Sequence, residues 1–205
     1  MVKEVIFVSM FILTMKKDII LFGMQGCGKG TQADMLLKKF KNYQYFEPGN
    51  ILRALESNDN VIGHHIRASI DQGKMVDNEI VFELFDIFGH LLKKGEAMLV
   101  DGFLRTVSQM YYFLNTEYRQ RRDFVGIYYK VSKKTALKRL LGRAKLEGRK
   151  DDNAKSMSQR IAIYEKETLP VIKYFESIGK LIVVDAEGIK EKAYKETLKK
   201  LEKLS

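Results

Sequence analysis

A glycine-rich segment near the start of the chain has the residue types needed to hold an anion. It reads Gly23-Met-Gln-Gly-Cys-Gly-Lys-Gly-Thr31, follows the apolar run Ile19 to Phe22 and precedes a stretch with helical periodicity. Glycine adopts backbone angles denied to other residues, so successive N–H groups can converge on phosphate oxygens while a helix start adds positive potential. Lys29 adds a mobile cation, and the Thr31 hydroxyl could bind magnesium or phosphate, although the usual pattern has Ser or Thr directly after the lysine. The segment therefore predicts a phosphate-binding loop.

Arginines later in the chain have a spacing that could surround a phosphoryl group. Arg139 and Arg143 are four residues apart in a helical pattern and therefore share a face. Arg149 precedes a pair of aspartates, and Arg160 lies in the following helix. A guanidinium offers phosphate oxygens a rigid fork of donors and stays charged at any relevant pH. Because phosphoryl transfer needs alignment and charge neutralisation rather than a general base, this set favours that reaction.

Short apolar runs alternate with helical patterns and would position these residues. The predicted strands are Ile19 to Phe22, Tyr43 to Phe46, Ala97 to Val100, Val125 to Val131 and Leu181 to Val184. A helix is predicted from Thr31 to Phe40. Strands that alternate with helices imply an α/β fold with a parallel sheet covered on both faces, and ligands at the carboxyl ends of its strands. Two more polar stretches, about 47–76 and 142–153, are expected to form a lobe and a lid on a single domain, 15–205.

Composition narrows the class of protein and its partners. The chain has 205 residues, 45% of them apolar, which is enough for a hydrophobic core and argues against disorder. A formal charge of +10 favours phosphate-bearing partners without choosing between nucleotide, nucleic acid and anionic membrane. A single cysteine, Cys27, excludes an internal disulfide and suits a reducing compartment, so a cytoplasmic protein is expected.

The first fourteen residues allow three interpretations. Val5 to Leu13 is almost wholly apolar behind Lys3, but it is far shorter than the roughly 20 residues that span a bilayer. Met15 could be an alternative start, which would make residues 1–14 a dispensable extension. An extra packed segment and a targeting or membrane contact are the alternatives. A protein that begins at Met15 distinguishes them, because loss of folding or activity would contradict the first interpretation.

Five motifs in order give the chain a family resemblance. The pattern Gly23-x-x-Gly-x-Gly-Lys-Gly-Thr-Gln32 resembles the opening motif of adenylate kinases and related nucleoside monophosphate kinases. The similarity continues through Pro48-Gly-Asn-Ile-Leu-Arg53, Gly73-Lys-Met-Val-Asp-Asn-Glu-Ile-Val81, Asp101-Gly-Phe-Leu-Arg-Thr106 with Gln109, and Gly148-Arg-Lys-Asp-Asp-Asn153. Together these motifs cover about 17–186, so the resemblance extends over nearly the whole chain.

The resemblance implies a fold, substrates and a set of site residues. The expected fold is that of P-loop NTPases, with a five-stranded parallel sheet, a monophosphate-binding lobe and a short lid. The expected reaction is reversible phosphoryl transfer from ATP to AMP, giving two ADP. ATP is expected to contact Gly26, Gly28, Lys29, Gly30, Thr31, Arg139 and Arg143. AMP is expected to contact Gly49, Arg53, Val76, Gly102, Arg105, Gln109, Arg149 and Arg160. The residues expected to act in catalysis are Lys29, Arg105, Arg143, Arg149 and Arg160.

The same resemblance implies magnesium as the cofactor. Asp101 is expected to act on it through bound water, because this hard cation prefers oxygen ligands and keeps much of its hydration shell. Asp151 and Asp152 are expected to position lid arginines. The stretch between Arg143 and Arg149 is short and lacks cysteine, so no structural zinc is expected. The family expectation is a monomer, with no obligatory nucleic-acid or membrane partner.

Two departures from the family pattern leave alternatives open. Pro48 stands where adenylate kinases usually have threonine, and Asn50 replaces a usual aspartate, which could loosen metal binding or slow transfer. Gln109 matches the glutamine that reads adenine, so AMP is the preferred acceptor and CMP or UMP the close alternatives. A nucleotide-responsive binding protein without turnover, with its basic tail on nucleic acid, is the alternative from another class.

Overall fold

Apolar strands and amphipathic helices alternate along the chain, as the pattern predicts. The computed structural model describes residues 17–71, 74–147 and 154–204, without the side chains of 71, 143–147 and 154–157. Five strands are described: β1 Asp18–Phe22, β2 Tyr43–Phe46, β3 Ala97–Asp101, β4 Phe124–Lys130 and β5 Leu181–Asp185. All five predicted strands are confirmed to within a residue at each end.

Helices connect the strands. In chain order they are α1 Lys29–Lys39, α2 Pro48–Glu56, α3 Val61–Asp71, α4 Asn78–Leu91, α5 Val107–Gln120, α6 Lys133–Glu147, α7 Ala154–Ile163, α8 Leu169–Ser177 and α9 Lys190–Leu201. A π-helical turn, Tyr164–Thr168, joins α7 to α8, and a 3₁₀ turn, Glu202–Leu204, follows α9. Helix α1 begins at Lys29, two residues before the predicted start. Among the described helices, none is long and apolar enough to cross a membrane.

The strands form one parallel sheet in the order β2-β3-β1-β4-β5. Successive residues of a strand face opposite sides of a sheet, and β1 shows this directly. Ile19 and Leu21 belong to the core on one face, whereas Ile20 and Phe22 belong to the core on the other. The sheet is therefore buried on both faces, and the predicted α/β class with a five-stranded parallel sheet is confirmed.

The predicted lobe, about 47–76, contains α2 and α3, which pack against each other. Gly63 permits their close approach, because a Cβ atom at this position would lie 2.0 Å from the carbonyl oxygen of Asn58. The division into lobe, lid and central domain stays a prediction. Residues 1–14 and 148–153 of the predicted extension and lid lie outside the described part of the chain.

A carboxyl group with a raised pKa is buried at the end of the sheet where its strands begin. Glu117 is 1% exposed and lies beside the Asp18 carboxyl group. Desolvation, with the nearby charge of Asp18 as a second cause, raises the pKa of Glu117 from 4.5 to about 9. Burial beside a second carboxyl group therefore favours the neutral form of Glu117 in the folded protein.

Replacing Glu117 with glutamine is expected to stabilise the fold at alkaline pH. The pKa of Glu117 is higher in the folded than in the unfolded protein. The contribution of Glu117 to the free energy of unfolding is therefore fully present below pH 4.5 and is lost progressively as the pH rises toward about 9. Glutamine does not ionise, so the advantage of Glu117→Gln should reach roughly 1 to 3 kcal/mol at pH 8. Urea unfolding at pH 6 and pH 8.5 measures it, with the exposed Glu176→Gln as control. Equal pH slopes for wild type and Glu117→Gln would contradict the prediction.

Candidate active site

The glycine-rich loop connects β1 to α1 as a strand, a turn and a helix start. Gly28 caps α1 with a φ of 98°, and Gly26 has a φ of 83°, a region that favours glycine. A Cβ atom on Gly26 would lie 2.5 Å from the carbonyl oxygen of Ala136, so no larger residue fits there. The Lys29 ammonium folds over the loop and donates to the carbonyl oxygens of Gly23, at 2.7 Å, and Met24, at 3.4 Å. A cation and the N-terminus of α1 thus share one site.

This loop opens into a large cleft at the carboxyl ends of the strands. The cleft has a volume of about 1300 Å³, which exceeds the usual 300 to 1,000 Å³ of a pocket for one small ligand. The predicted donor-site residues that line it are Gly26, Gly28, Lys29, Gly30, Thr31 and Arg139. The predicted acceptor-site and metal residues that line it are Gly49, Arg53, Val76, Asp101, Gly102, Arg105, Gln109 and Arg160. The predicted ATP-site residues and the predicted AMP-site residues therefore border the same cleft.

Four predicted residues cannot be placed in this way. Arg143 lies in α6, but its side chain is outside the described part of the chain. Arg149, Asp151 and Asp152 fall in the segment 148–153, which is also outside it. Their expected roles stay predictions.

Asp101 is the last residue of β3, is 7% exposed and borders the cleft. Its Oδ2 atom accepts a hydrogen bond from the Tyr45 hydroxyl at 3.2 Å. Within the described residues, no group of three or more acidic, histidine or cysteine side chains could enclose a metal. The Asp101 carboxylate and the Thr31 hydroxyl both border the cleft, and such a sparse set of hard oxygen ligands suits Mg²⁺ bound largely by water and phosphate. The residues present therefore fit the magnesium that the sequence predicts.

Arg53 projects from α2 next to a carboxylate that the sequence analysis did not single out. Its Nη2 atom is 3.3 Å from Glu47 Oε1 and also donates to Asn50 Oδ1. Asn50 in turn donates to Glu47 Oε2 at 2.5 Å, and the Tyr45 hydroxyl is 3.2 Å from the same oxygen. Asn50 therefore holds Glu47 and Arg53 together, and a glutamate three residues earlier supplies a carboxylate near the position where Asn50 lacks one.

Arg105 borders the cleft, where its side chain is exposed to solvent and surrounded by many protein atoms. Desolvation by these atoms is the main cause that lowers the pKa of its guanidinium, and the charges of Arg160 and Arg53 lower the pKa further. Asp101 and Glu47 act in the opposite direction. An arginine remains protonated throughout the physiological range. The shift is therefore informative mainly because it shows that these charged groups lie close to Arg105. Three arginines and two carboxylates interact at one point of the cleft.

Gln109 is 4% exposed, and two hydrogen bonds fix its side-chain amide. Its Oε1 atom accepts the backbone N–H of Arg105 at 2.8 Å, and its Nε2 atom donates to Asn78 Oδ1 at 2.9 Å. Thr106 caps α5 by accepting the backbone N–H of Gln109. The amide therefore borders the cleft in a defined orientation.

Arg139 ties the glycine-rich loop to the segment after β5. Its guanidinium donates to the carbonyl oxygens of Cys27, at 3.2 Å, and Ala186, at 2.9 Å. Glu187 and Gly188 accept from it as well, at 3.1 and 3.0 Å. The predicted role of Arg139 beside the ATP base stays a prediction, and its contacts add a structural role in holding the loop.

Sequence reasoning missed four residues of the site: Tyr45, Glu47, Asn78 and Thr168. Glu47 directly precedes one of the quoted motifs and Asn78 lies within another, so their position was a usable signal. Tyr45 and Thr168 contact Asp101 and Arg105, which are 56 and 63 positions away. Only the fold brings those pairs together.

Comparison with known proteins identifies the family of the chain. The family model described as adenylate kinase matches residues 21–180. The chain is 33% identical to a uridylate kinase of Schizosaccharomyces pombe, over 90% of this chain and 96% of that protein. It is 32% identical to an adenylate kinase of Oenococcus oeni, over 85% and 92% of the two chains. It is also 33% identical to adenylate kinase isoenzyme 1 of Caenorhabditis elegans, over 81% and 78%. The chain therefore belongs to the adenylate kinase family and is a nucleoside monophosphate kinase.

Proposed function

We propose that this protein is an adenylate kinase, which converts ATP and AMP reversibly into two ADP by direct in-line phosphoryl transfer. Its relatives carry the names of kinases for two different acceptors, uridylate and adenylate. The choice between acceptors must therefore come from the residues of this chain. The observation that carries the choice is the fixed orientation of the Gln109 amide.

The backbone N–H of Arg105 sets which end of that amide is the oxygen. The Asn78 side chain could rotate to suit either orientation of its neighbour, but a backbone N–H can only donate. Reversing Gln109 would place its NH₂ group 2.8 Å from the Arg105 N–H, donor against donor, in a nearly water-free position. One N–H and one oxygen lone pair of Gln109 then remain for a ligand in the cleft.

An amide pairs with either order of donor and acceptor, so its fixed orientation discriminates between bases only once the phosphate and ribose have set the position of the base. Adenine and cytosine each present an exocyclic amine beside a ring nitrogen that accepts, whereas uracil and guanine present the reverse order, a carbonyl oxygen beside a ring N–H. In one position of the base, the amide therefore pairs with one order and leaves polar groups unpaired with the other. The resemblance of Gln109 to an adenine-reading glutamine, and the adenylate kinases among the relatives, favour the order of adenine and hence AMP.

The remaining residues would align the two nucleotides and neutralise the moving charge. Lys29 and the amides of the loop hold the ATP phosphates, while Arg53 and Arg105 hold the acceptor phosphate. Arg160, with Arg143 and Arg149, follows the charge that spreads over the transferring group. Bound Mg²⁺, near Asp101 and Thr31, would supply further neutralisation of the phosphate oxygens. No side chain needs to act as a general base.

A coupled assay with AMP, CMP, UMP and GMP tests the acceptor. We expect AMP to have the highest kcat/KM, CMP the next, and UMP and GMP values lower by roughly tenfold or more, because the site leaves a polar group unpaired with the wrong base. Gln109→Leu should reduce the preference for AMP over UMP by about tenfold, and the exposed Gln120→Leu on the same helix is the control. UMP as the best acceptor would contradict the proposal.

A further inference from the structure

The π-helical turn Tyr164–Thr168 interrupts what would otherwise be one long helix from α7 to α8. Its characteristic bond joins the Leu169 N–H to the Tyr164 carbonyl oxygen, five residues apart. Pro170 follows immediately, and a proline has no N–H to donate and a ring that clashes with the preceding turn. The wide turn accommodates this proline, and such turns are frequent at functional sites.

Two hydrogen bonds fix the turn to the rest of the protein. The hydroxyl of Tyr164 lies 3.2 Å from that of Tyr128 on β4. The hydroxyl of Thr168 donates to the carbonyl oxygen of Arg105 at 3.0 Å. Tyr164 and Thr168 are 5% and 8% exposed, and both border the cleft. The turn is thus anchored to the sheet at its start and to the arginine loop at its end.

The anchor at Arg105 completes a hold on the two peptide units that flank its Cα atom. The N–H of Arg105 donates to Gln109 Oε1 and is shared with the Phe103 carbonyl oxygen, and the Arg105 carbonyl oxygen accepts from Thr168. The backbone of Arg105 therefore moves only if one of these bonds breaks. Arg160 lies in the last turn of α7, just before the π-helical turn, and its charge acts on Arg105. Thr168 thus forms a direct hydrogen-bonded link between the segment that carries Arg160 and the loop that carries Arg105.

We propose that Thr168 is a positioning residue. Its bond to the Arg105 backbone aligns the Arg105 guanidinium with Arg160, so that both can bind the acceptor phosphate. The inference rests on the proposed function only in that Arg105 holds the phosphate of the monophosphate. Removal of the hydroxyl should leave the Arg105 loop free to shift by a fraction of an ångström, which is enough to misalign a fork of donors. A purely structural hydroxyl would instead affect stability and leave the kinetics of each folded molecule unchanged.

The test compares Thr168→Val, which keeps the shape and removes the donor, with Thr168→Ser, which restores it. For Thr168→Val we expect kcat/KM for the monophosphate to fall 10- to 30-fold, with KM for ATP within twofold of wild type. Thr168→Ser should lie within threefold of wild type in both. If Thr168→Val cannot be obtained folded, Thr168→Cys keeps a weak donor and should show a three- to tenfold loss. A value of kcat/KM within twofold of wild type, or an equal loss toward ATP and the monophosphate, would overturn the inference.

The matched control is Thr197→Val. Thr197 is fully buried in α9 and bonds to Tyr129 and Ala193, away from the cleft residues. This change should lower the thermal midpoint and leave both KM values within twofold of wild type. The assay uses whichever of AMP, CMP, UMP and GMP the wild type accepts best, because all four carry the same phosphate. An acceptor other than AMP would thus contradict the proposed function and leave the Thr168 test valid, whereas no binding of any monophosphate would contradict both.

Discussion

Replacing Lys29 with methionine is expected to lower kcat by a factor of about 10² to 10³. The Lys29 ammonium lies inside the glycine-rich loop, where it is the cation closest to the carbonyl oxygens of Gly23 and Met24. Methionine has similar length and fills the same space without charge, so the loop should keep its shape and lose the donor that neutralises the transferring phosphoryl group. Initial rates at saturating ATP and AMP measure the loss.

The exposed Lys38→Met on the same helix removes an equal charge and should leave kcat within twofold of wild type. Thermal unfolding of both variants separates a catalytic loss from an unfolded loop. A Lys29→Met protein that folds and turns over within tenfold of wild type would show that Lys29 does not act on the transferring group.

Replacing Arg105 with alanine is expected to lower kcat/KM for the acceptor by about 10³. Arg105 borders the cleft at the point where the charges of Arg53, Arg160, Asp101 and Glu47 all act on its guanidinium. Arg105→Lys keeps the charge but loses the planar fork, and it should recover only about tenfold of the loss. The kinetic constants for AMP at saturating ATP measure both effects.

Arg119, exposed on α5, is the matched control, and Arg119→Ala should leave kcat/KM within twofold of wild type. The KM for ATP should change much less than the KM for AMP in Arg105→Ala. An equal increase in both constants would mean that Arg105 supports the whole cleft and does not act on the acceptor phosphate.

The fold could be predicted from the sequence because its signals are local. Apolar runs bounded by turns located all five strands, and three of the four glycines of the loop, Gly23, Gly26 and Gly28, have the positive φ values that their pattern implies. Helix α1 began earlier than predicted because Gly30, a weak helix former, is accommodated in the first turn of the helix. Local signals of this kind do not depend on which distant residues meet.

The contacts inside the cleft could be predicted only in part. Motifs identified the arginines and Gln109 as residues of the cleft, because residue types and spacing can be read from the sequence alone. The partner of each one was not visible: Glu47 for Arg53, Asn78 for Gln109 and Thr168 for Arg105. Asn50 illustrates the difference, because the sequence indicated a missing carboxylate and only the structure placed Glu47 beside it.

The contact between Arg53 and Glu47 makes Glu47 an internal counter-ion. An anion that approaches Arg53 must exchange with this carboxylate, so its net affinity is the difference between two similar contacts. Inorganic phosphate brings nothing else to offset the exchange, whereas a nucleotide also brings a base and a ribose. Arg53 should therefore bind small anions such as inorganic phosphate weakly and whole nucleotides more tightly.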